Sequence, residues 1–504
     1  MPLINSIFSW VMKKRIHQIE LFIKYPHEVQ AEWLRKLISA AKDTEWGQKY
    51  DYKSIKTVQE YKARVPVQDY EGIKPYIIRL RQGEQNILWP SEIKWFSKSS
   101  GTTNDKSKFI PVSQDALEES HFKGGKDVLT IYCNNNPDTE LFSGKGLTLG
   151  GSHQINNFSN ASYYGDLSAI IIQNLPFWAE FIRTPNRKIT LMDKFESKIE
   201  KIAEATIDEN VTNLAGVPSW TLVLSKYILE KTGKSNLLEV WPNLELFTHG
   251  GVNFTPYKKQ FEKLIPSPEM KYLETYSASE GFFGIQDQPD SDELLLMLDY
   301  GIYYEFMPMK EINKEHPQTL SLDEVQLNIN YVLIISTNAG LWRYKIGDTI
   351  KFTSLDPFRI KITGRTVHFI NVFGEELIID NADKALSIAC ERSGAVMKEY
   401  TAAPVYMSDS EAGSHEWLIE FELRPDSINF FRKELDNALK SLNSDYEAKR
   451  NGDLALKEPI IKEMPPDIFY NWLKIKGKLG GQNKVPRLSN DRKIVEEILE
   501  MVEE

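Results

Sequence analysis

Two periodicities alternate along this chain. Residues 1–50, Phe195–Ala205 and Trp220–Lys231 carry apolar side chains at helical spacing, the last with Gly233 behind it as a stop. Short apolar runs of strand length lie at Leu244–Phe247, Lys271–Thr275, Ile302–Met307 and Tyr331–Ser336. Interleaved helices and short strands predict an α/β core. Leu341 to Phe352 reads as strand, turn at Gly347-Asp348, then strand. Phe358, Ile360 and Ile362 alternate with Arg359, Lys361 and Thr363, a half-exposed strand ending at Gly364-Arg365. A second pattern begins there. Residues 382–393 predict a helix closed by Gly394. Trp417, Ile419, Phe421 and Leu423 alternate as an amphipathic strand. Ile428, Phe431, Leu435, Leu439 and Leu442 repeat at helical spacing behind Asp426 or Ser427 as cap. The expected division is therefore an α/β unit over 1–364 and a small α+β module over 365–504.

Composition narrows the classes. A chain of 504 residues with 41% hydrophobic and 26% charged side chains is an ordinary globular protein of two or more domains. With 61 basic against 71 acidic residues, nothing suggests a nucleic-acid binder. The longest apolar runs, Leu294–Leu298 and Tyr331–Ile335, fall far short of the roughly 20 residues a membrane span needs. At the N-terminus Leu3, Ile7, Trp10 and Val11 precede Lys13-Lys14-Arg15, the reverse of a secretory signal; they can line one face of a helix, packed on the domain in the favoured reading or lying on a membrane surface in the alternative. Cys133 and Cys390 form no C-x-x-C pair, so no disulfide framework or structural zinc is expected, and a reducing cytoplasm fits. No obligate protein partner is indicated.

Three short segments hold the candidate chemistry. Ser99-Ser100-Gly101-Thr102-Thr103-Asn104-Asp105-Lys106-Ser107-Lys108 follows a strand-like run and offers backbone N–H groups, hydroxyls and positive charge together, which suits nucleotide phosphates. Thr275-Tyr276-Ser277-Ala278-Ser279-Glu280-Gly281 runs from a strand into a loop. Glu280 is a suitable ligand for Mg²⁺, a hard cation that takes one or two carboxylates plus phosphate oxygens. In Trp342-Arg343-Tyr344-Lys345-Ile346-Gly347-Asp348, an aspartate at a glycine turn can accept two hydrogen bonds from a ribose diol. Gly233-Lys234-Ser235 imitates the end of a P-loop, but Ile228 stands where that motif needs glycine.

In this order the segments resemble the three nucleotide motifs of the adenylate-forming superfamily, and more closely the auxin-responsive-promoter family of acyl-acid amido synthetases. Further matches include Thr44-Glu45-Trp46-Gly47, Val65-Pro66-Val67-Gln68-Asp69-Tyr70, Gly216-Val217-Pro218-Ser219-Trp220, His249-Gly250-Gly251-Val252 and Gln482-Asn483-Lys484-Val485-Pro486-Arg487. The resemblance implies an α/β fold, with a large N-terminal adenylate-forming domain of β-sheets flanked by helices and a small mobile C-terminal domain. It implies that Ser99, Ser100, Gly101, Thr102, Thr103 and Lys108 hold phosphates and that Gly250 and Gly251 lie against adenine. Tyr276 would stack near the base beside Ser279, Glu280 would hold Mg²⁺, and Asp348 would take the ribose hydroxyls. Arg365 would stand at the hinge and contact ribose or phosphate, and Lys484 would meet the reacting carboxylate and α-phosphate. An apolar or aromatic acid would sit among residues such as Tyr163, Tyr164, Phe177 and Trp220, with Phe158 and Trp178 as further candidates. Asp105, Ala278 and Lys345 depart from the family pattern.

The implied reaction uses ATP and Mg²⁺ to join a small carboxylic acid to an amino acid through an acyl-adenylate. Two alternatives stay open: an acyl-CoA ligase sharing the first half-reaction, and a non-catalytic nucleotide-binding protein. Asn104, where acyl-CoA ligases commonly carry glycine, favours the amide.

Overall fold

The structure, a computed structural model, describes residues 14–99, 108–150, 156–159, 162–192, 195–251, 254–312, 314–365, 369–370, 375, 377–406, 413–443, 446–447, 450, 456–479, 484–489 and 491–503. Its strands are β1 (Trp95–Ser99), β2 (Lys108–Val112), β3 (Lys145–Thr148), β4 (Asn156–Ser159), β5 (Ser162–Gly165), β6 (Arg183–Thr184), β7 (Val211–Gly216), β8 (Leu246–Gly250), β9 (Lys271–Ala278) and β10 (Gly281–Ile285). They continue with β11 (Leu294–Leu296), β12 (Ile302–Pro308), β13 (Asn330–Thr337), β14 (Tyr344–Leu355), β15 (Phe358–Arg365), β16 (Phe369–Ile370), β17 (Leu377–Ile378), β18 (Val396–Val405), β19 (Ser414–Leu423) and β20 (Ile460–Met464).

The large sheet runs β12-β13-β14-β15-β11-β10-β9-β8-β7-β3-β6. From β9 to β6 its neighbours are parallel, and from β9 to β12 antiparallel. Helices Phe195–Thr206, Pro218–Thr232 and Thr255–Leu264 cover the parallel half, packing Ile202, Ile228 and Phe261 with Leu214 and Phe247 of the strands. The helix Pro26–Ala41 serves the antiparallel half. There the buried Gln30 amide donates to Leu298 O and Ile302 O and accepts from Tyr304 N, satisfying three backbone groups at once. A smaller sheet, β2-β1-β5-β4, stands beside it. In parallel sheets ligands gather at the carboxyl ends of strands, here the ends of β8 and β9.

Of the basic cluster Lys13-Lys14-Arg15, Arg15 is a core residue. Its guanidinium forks onto Asp127 at 2.6 Å and onto Asp299 at 2.6 Å, docking the first described helix. Leu3, Ile7, Trp10 and Val11 lie outside the described residues.

After β15 come the two-stranded pair β16-β17 and then a three-stranded sheet, β18-β19-β20. The predicted helices are present as Ile379–Ser393, closed by Gly394 at φ +70°, and Ile428–Leu442, capped by the Ser427 hydroxyl on Phe430 N. Through Glu420 β19 is buried on both faces, not one, whereas Leu423 at its end, predicted on the apolar face, is exposed. Trp417 and Ile419 meet those two helices, while Leu418 meets helices Ile468–Ile475 and Lys493–Glu503. Its polar positions are buried as ion pairs, Glu416 with Arg492 at 2.6 Å and Glu420 with Lys398 at 2.7 Å. Alternation alone points them to solvent.

The reversal predicted at Gly347-Asp348 is absent. No turn divides the segment. β14 is continuous, and Lys345 pairs Ile334 while Thr349 pairs Val332, so Ile346, Gly347 and Asp348 face Leu333 alone. This is a bulge, with Gly347 at φ +96° supplying the left-handed backbone it needs.

Candidate active site

The segment between β1 and β2 is closed at its base, because Ser99 and Lys108 are antiparallel partners. The Lys108 ammonium lies 5.7 Å from the centre of the Tyr70 ring, and Tyr70 Oη accepts from Phe109 N at 2.9 Å. Ser100, Gly101, Thr102 and Thr103 lie outside the described residues, as does the Ser99 side chain. Two residues along β1 from Ser99, and so on the same face, the buried Ser97 hydroxyl donates to Ser279 Oγ at 2.9 Å. That bond ties the first segment to the second. Ser97 escapes a motif search because its partner is 182 residues away. The period-2 pattern of β1 was the available signal.

Ser279 and Glu280 form the turn between β9 and β10, and Glu280 is only 9% exposed. The next strand is anchored by Phe282 N donating to Ser120 Oγ at 2.9 Å. Ser120 belongs to a π-helical turn, Leu117–Phe122, ahead of the helix Lys123–Asn135. A wide turn of this kind marks functional regions often enough to be noted. Among the described residues no three carboxylates, histidines or cysteines gather as a metal cluster. A single near-buried carboxylate fits a Mg²⁺ that completes its shell with phosphate oxygens and water.

The second and third segments also meet. The Tyr276 hydroxyl donates to Asp348 Oδ2 at 2.7 Å, with both residues buried, although β9 and β14 are not neighbours. The bulge of β14 re-aims Asp348 toward this contact. Asp348 is in register with Arg365, whose side chain lies outside the described residues.

At the end of β8, Gly250 pairs with Thr275, and a Cβ there would stand 2.6 Å from Thr275 O. Gly251 adopts φ +80°, and a Cβ there would be 3.3 Å from Lys484 Nζ and 3.6 Å from Val217. The lysine of the C-terminal part thus reaches the glycine turn of the large sheet. Preceding that turn, His249 stacks on Phe254 at 4.0 Å, and burial pushes its imidazole down to about 3, so it is a neutral wedge at physiological pH.

Arg343 is structural. It sits at φ +44°, forks onto Glu305 at 3.0 Å, and donates to Lys62 O and Val65 O at 2.7 and 2.6 Å. Gln68 brackets it, donating from its N–H to Arg343 O and accepting from Lys345 N. The Val65–Tyr70 match therefore clamps β14 on one side and β2 on the other.

Of the four aromatic pocket candidates, Tyr163 and Tyr164 lie on opposite faces of one strand. Tyr163 meets Trp95 with ring centres 5.2 Å apart and tilted by 36°, whereas Tyr164, next along β5, meets Phe109 at 5.3 Å. Trp220 is buried in the cluster under the parallel strands. Phe177 is 79% exposed, edge-on to Phe181. The side chains of Phe158 and Trp178 lie outside the description.

Residues 15–270 match the GH3 family N-terminal domain, residues 295–365 its central domain and residues 380–493 its C-terminal domain. Indole-3-acetic acid-amido synthetase GH3.3 of Arabidopsis thaliana is 22% identical, over 96% of this chain and 93% of that protein. Jasmonoyl–L-amino acid synthetase JAR4 of Nicotiana attenuata is 24% identical, over 84% of each. Among solved structures, GH3.15 acyl acid amido synthetase superposes with a TM-score of 0.81 at 17% identity, covering 97% of this chain and 95% of that one.

Proposed function

Because this chain belongs to the GH3 family, we propose that it is an ATP-dependent acyl-acid amido synthetase, joining a small apolar or aromatic carboxylic acid to an L-amino acid. One observation carries the assignment of its site: Lys484 Nζ stands against the Gly251 turn, next to the segment in which Tyr276 holds Asp348 and Ser279 meets Ser97.

In the first half-reaction a carboxylate oxygen of the acid attacks the α-phosphorus of ATP. A new O–P bond forms, the α–β bridging P–O bond breaks, and pyrophosphate leaves with that electron pair. Two anions must be brought together, so fixed positive charge and orientation supply most of the acceleration. Lys484 faces the reacting oxygens, Lys108 and the backbone between Ser99 and Lys108 hold the β- and γ-phosphates, and Asp348 accepts from the ribose diol. Mg²⁺ held by Glu280 would neutralise phosphate charge. In the second half-reaction the neutral amine of the amino acid attacks the acyl carbon, the mixed anhydride opens, AMP leaves and the amine proton passes to solvent or base. Residues 365–504 would form the moving unit, with its hinge at Gly364-Arg365.

The test has two stages. Purified protein with Mg²⁺ should exchange pyrophosphate into ATP only when a suitable carboxylic acid is present. Mass spectrometry of the same mixture with pooled L-amino acids should then show an amide. A thioester formed from coenzyme A in preference to an amide would replace this reading.

Tyr276 supplies a separate prediction. Tyr276→Phe keeps the ring but removes the donor that orients Asp348, and a hydrogen bond to a charged group contributes about 1.5–3 kcal/mol. KM for ATP should rise roughly tenfold with little change in KM for the acid. Equal increases in both would argue against a ribose role for Asp348.

A further inference from the structure

The segment carrying Lys484 is short, irregular and tightly held. Ala402 N donates to Arg487 O at 2.8 Å, Ser489 N to Ala402 O at 3.1 Å, and the Thr401 hydroxyl to Pro486 O at 2.7 Å, so residues 486–489 lie along the edge of β18. Within it Arg487 points inward. Its guanidinium donates to Asp383 at 2.7 Å, lies 5.3 Å from the Tyr400 ring centre, and comes within 3.8 Å of Glu399. Tyr400 Oη donates to the same Asp383 oxygen at 2.7 Å. A remaining nitrogen of Arg487 donates, at 3.5 Å, to Tyr257 Oη, which belongs to the other part of the molecule.

Tyr257 is buried on the helix Thr255–Leu264, the one that follows the Gly250-Gly251 turn. The same helix contributes Gln260, whose amide donates to Met397 O at 3.5 Å, and Leu479 packs against the apolar clusters of both parts. Arg487 is thus three residues from the ammonium at the glycine turn, and Tyr257 is six residues beyond that turn. One contact links the two segments whose approach brings Lys484 to Gly251.

We propose that Arg487 and Tyr257 are positioning residues for adenylation: the buried Arg487 cluster fixes the Lys484 segment on the C-terminal part, and Tyr257 registers that part against the large sheet. The proposal rests on the assignment of Lys484 to the adenylation step. It does not require either residue to touch substrate. Arg487 bridges the two parts in the arrangement that presents Lys484, so losing the bridge should slow the step that uses Lys484 and spare the step that does not.

Tyr257→Phe is the discriminating variant, since it keeps the ring in its apolar surroundings and removes only the hydroxyl. Adenylation is read as carboxylate-dependent pyrophosphate exchange, and acyl transfer as amide formation from a synthetic acyl-adenylate supplied with the amino acid. The expected result is a five- to tenfold lower kcat for exchange, the loss of about one weak bond to a charged group, with KM for ATP unchanged. Transfer from supplied adenylate should stay within about twofold of wild type. Arg487→Lys, which keeps the charge but not the fork, should show the same split, with a larger loss in exchange. Equal loss in both half-reactions, or undiminished exchange, overturns the proposal. An exchange-inactive wild type would instead remove the functional reading beneath it, and this proposal with it.

Discussion

Lys484→Ala should lower carboxylate-dependent pyrophosphate exchange by about 10²–10³-fold, the loss typical when one fixed donor to a developing oxyanion is removed. Adenylation brings a carboxylate onto a triphosphate. The charge at the α-phosphoryl oxygens must be met by something already in place, because water reorganising at that moment would add to the barrier. The Lys484 ammonium is 3.3 Å from where a side chain on Gly251 would begin, so the glycine leaves the room that the lysine fills. Its side chain is exposed, and removing it creates no cavity in either apolar cluster. Thermal unfolding should therefore be unchanged while exchange collapses, a combination that separates a chemical role from a structural one. KM for ATP should change little, since the interaction is needed most as charge accumulates. Lys484→Arg keeps the charge on a bulkier head beside the turn and should recover only part of the rate. Exchange by Lys484→Ala within threefold of wild type would sink the assignment.

The contrast between what the chain announces and what it conceals is physical. Helix ends at Gly233 and Gly394 are legible because only glycine occupies the left-handed conformation easily, and both do, at φ +68° and +70°. Gly347 sends the same local signal, yet at φ +96° it makes a bulge within β14 and not a reversal. The backbone conformation is local, but whether a strand turns back depends on the ladder beside it. Glu416 and Glu420 likewise read as solvent-facing until Arg492 and Lys398 are seen beside them. Of the candidate site, Ser99, Lys108, Tyr276 and Asp348 were singled out by motif order, although Asp348 lies in a bulge inside β14 and not at a strand end. Ser97, Tyr257 and Arg487 were not, since each acquires meaning from a partner more than a hundred residues away. For the aromatic pocket candidates the strand period adds one constraint. Tyr163 and Tyr164 are adjacent in a strand, so they must face opposite ways.

Arg343→Ala should be the most destabilising single substitution in the third segment, by about 3–5 kcal/mol from the unpaired buried carboxylate of Glu305 alone. Glu305 is 1% exposed and would keep the Thr319 hydroxyl but lose its cation. Lys62 O and Val65 O would lose their guanidinium partners as well, and an unsatisfied buried acceptor costs about 1–3 kcal/mol. Such a loss is a large part of the roughly 5–15 kcal/mol that holds a domain folded. Two companions show which term dominates. Arg343→Gly removes the same contacts but relieves the φ +44° backbone, and should unfold later than Arg343→Ala by about 1 kcal/mol. Arg343→Met with Glu305→Leu removes both charges, and should cost less than the sum of the single changes because no ion is left buried alone. Chemical unfolding followed by circular dichroism reads all three. A loss under about 1 kcal/mol for Arg343→Ala would mean that water reaches Glu305 freely. In that case Arg343 could not be what fixes β14, and the aim of Asp348 toward Tyr276 would have to come from the Gly347 bulge alone.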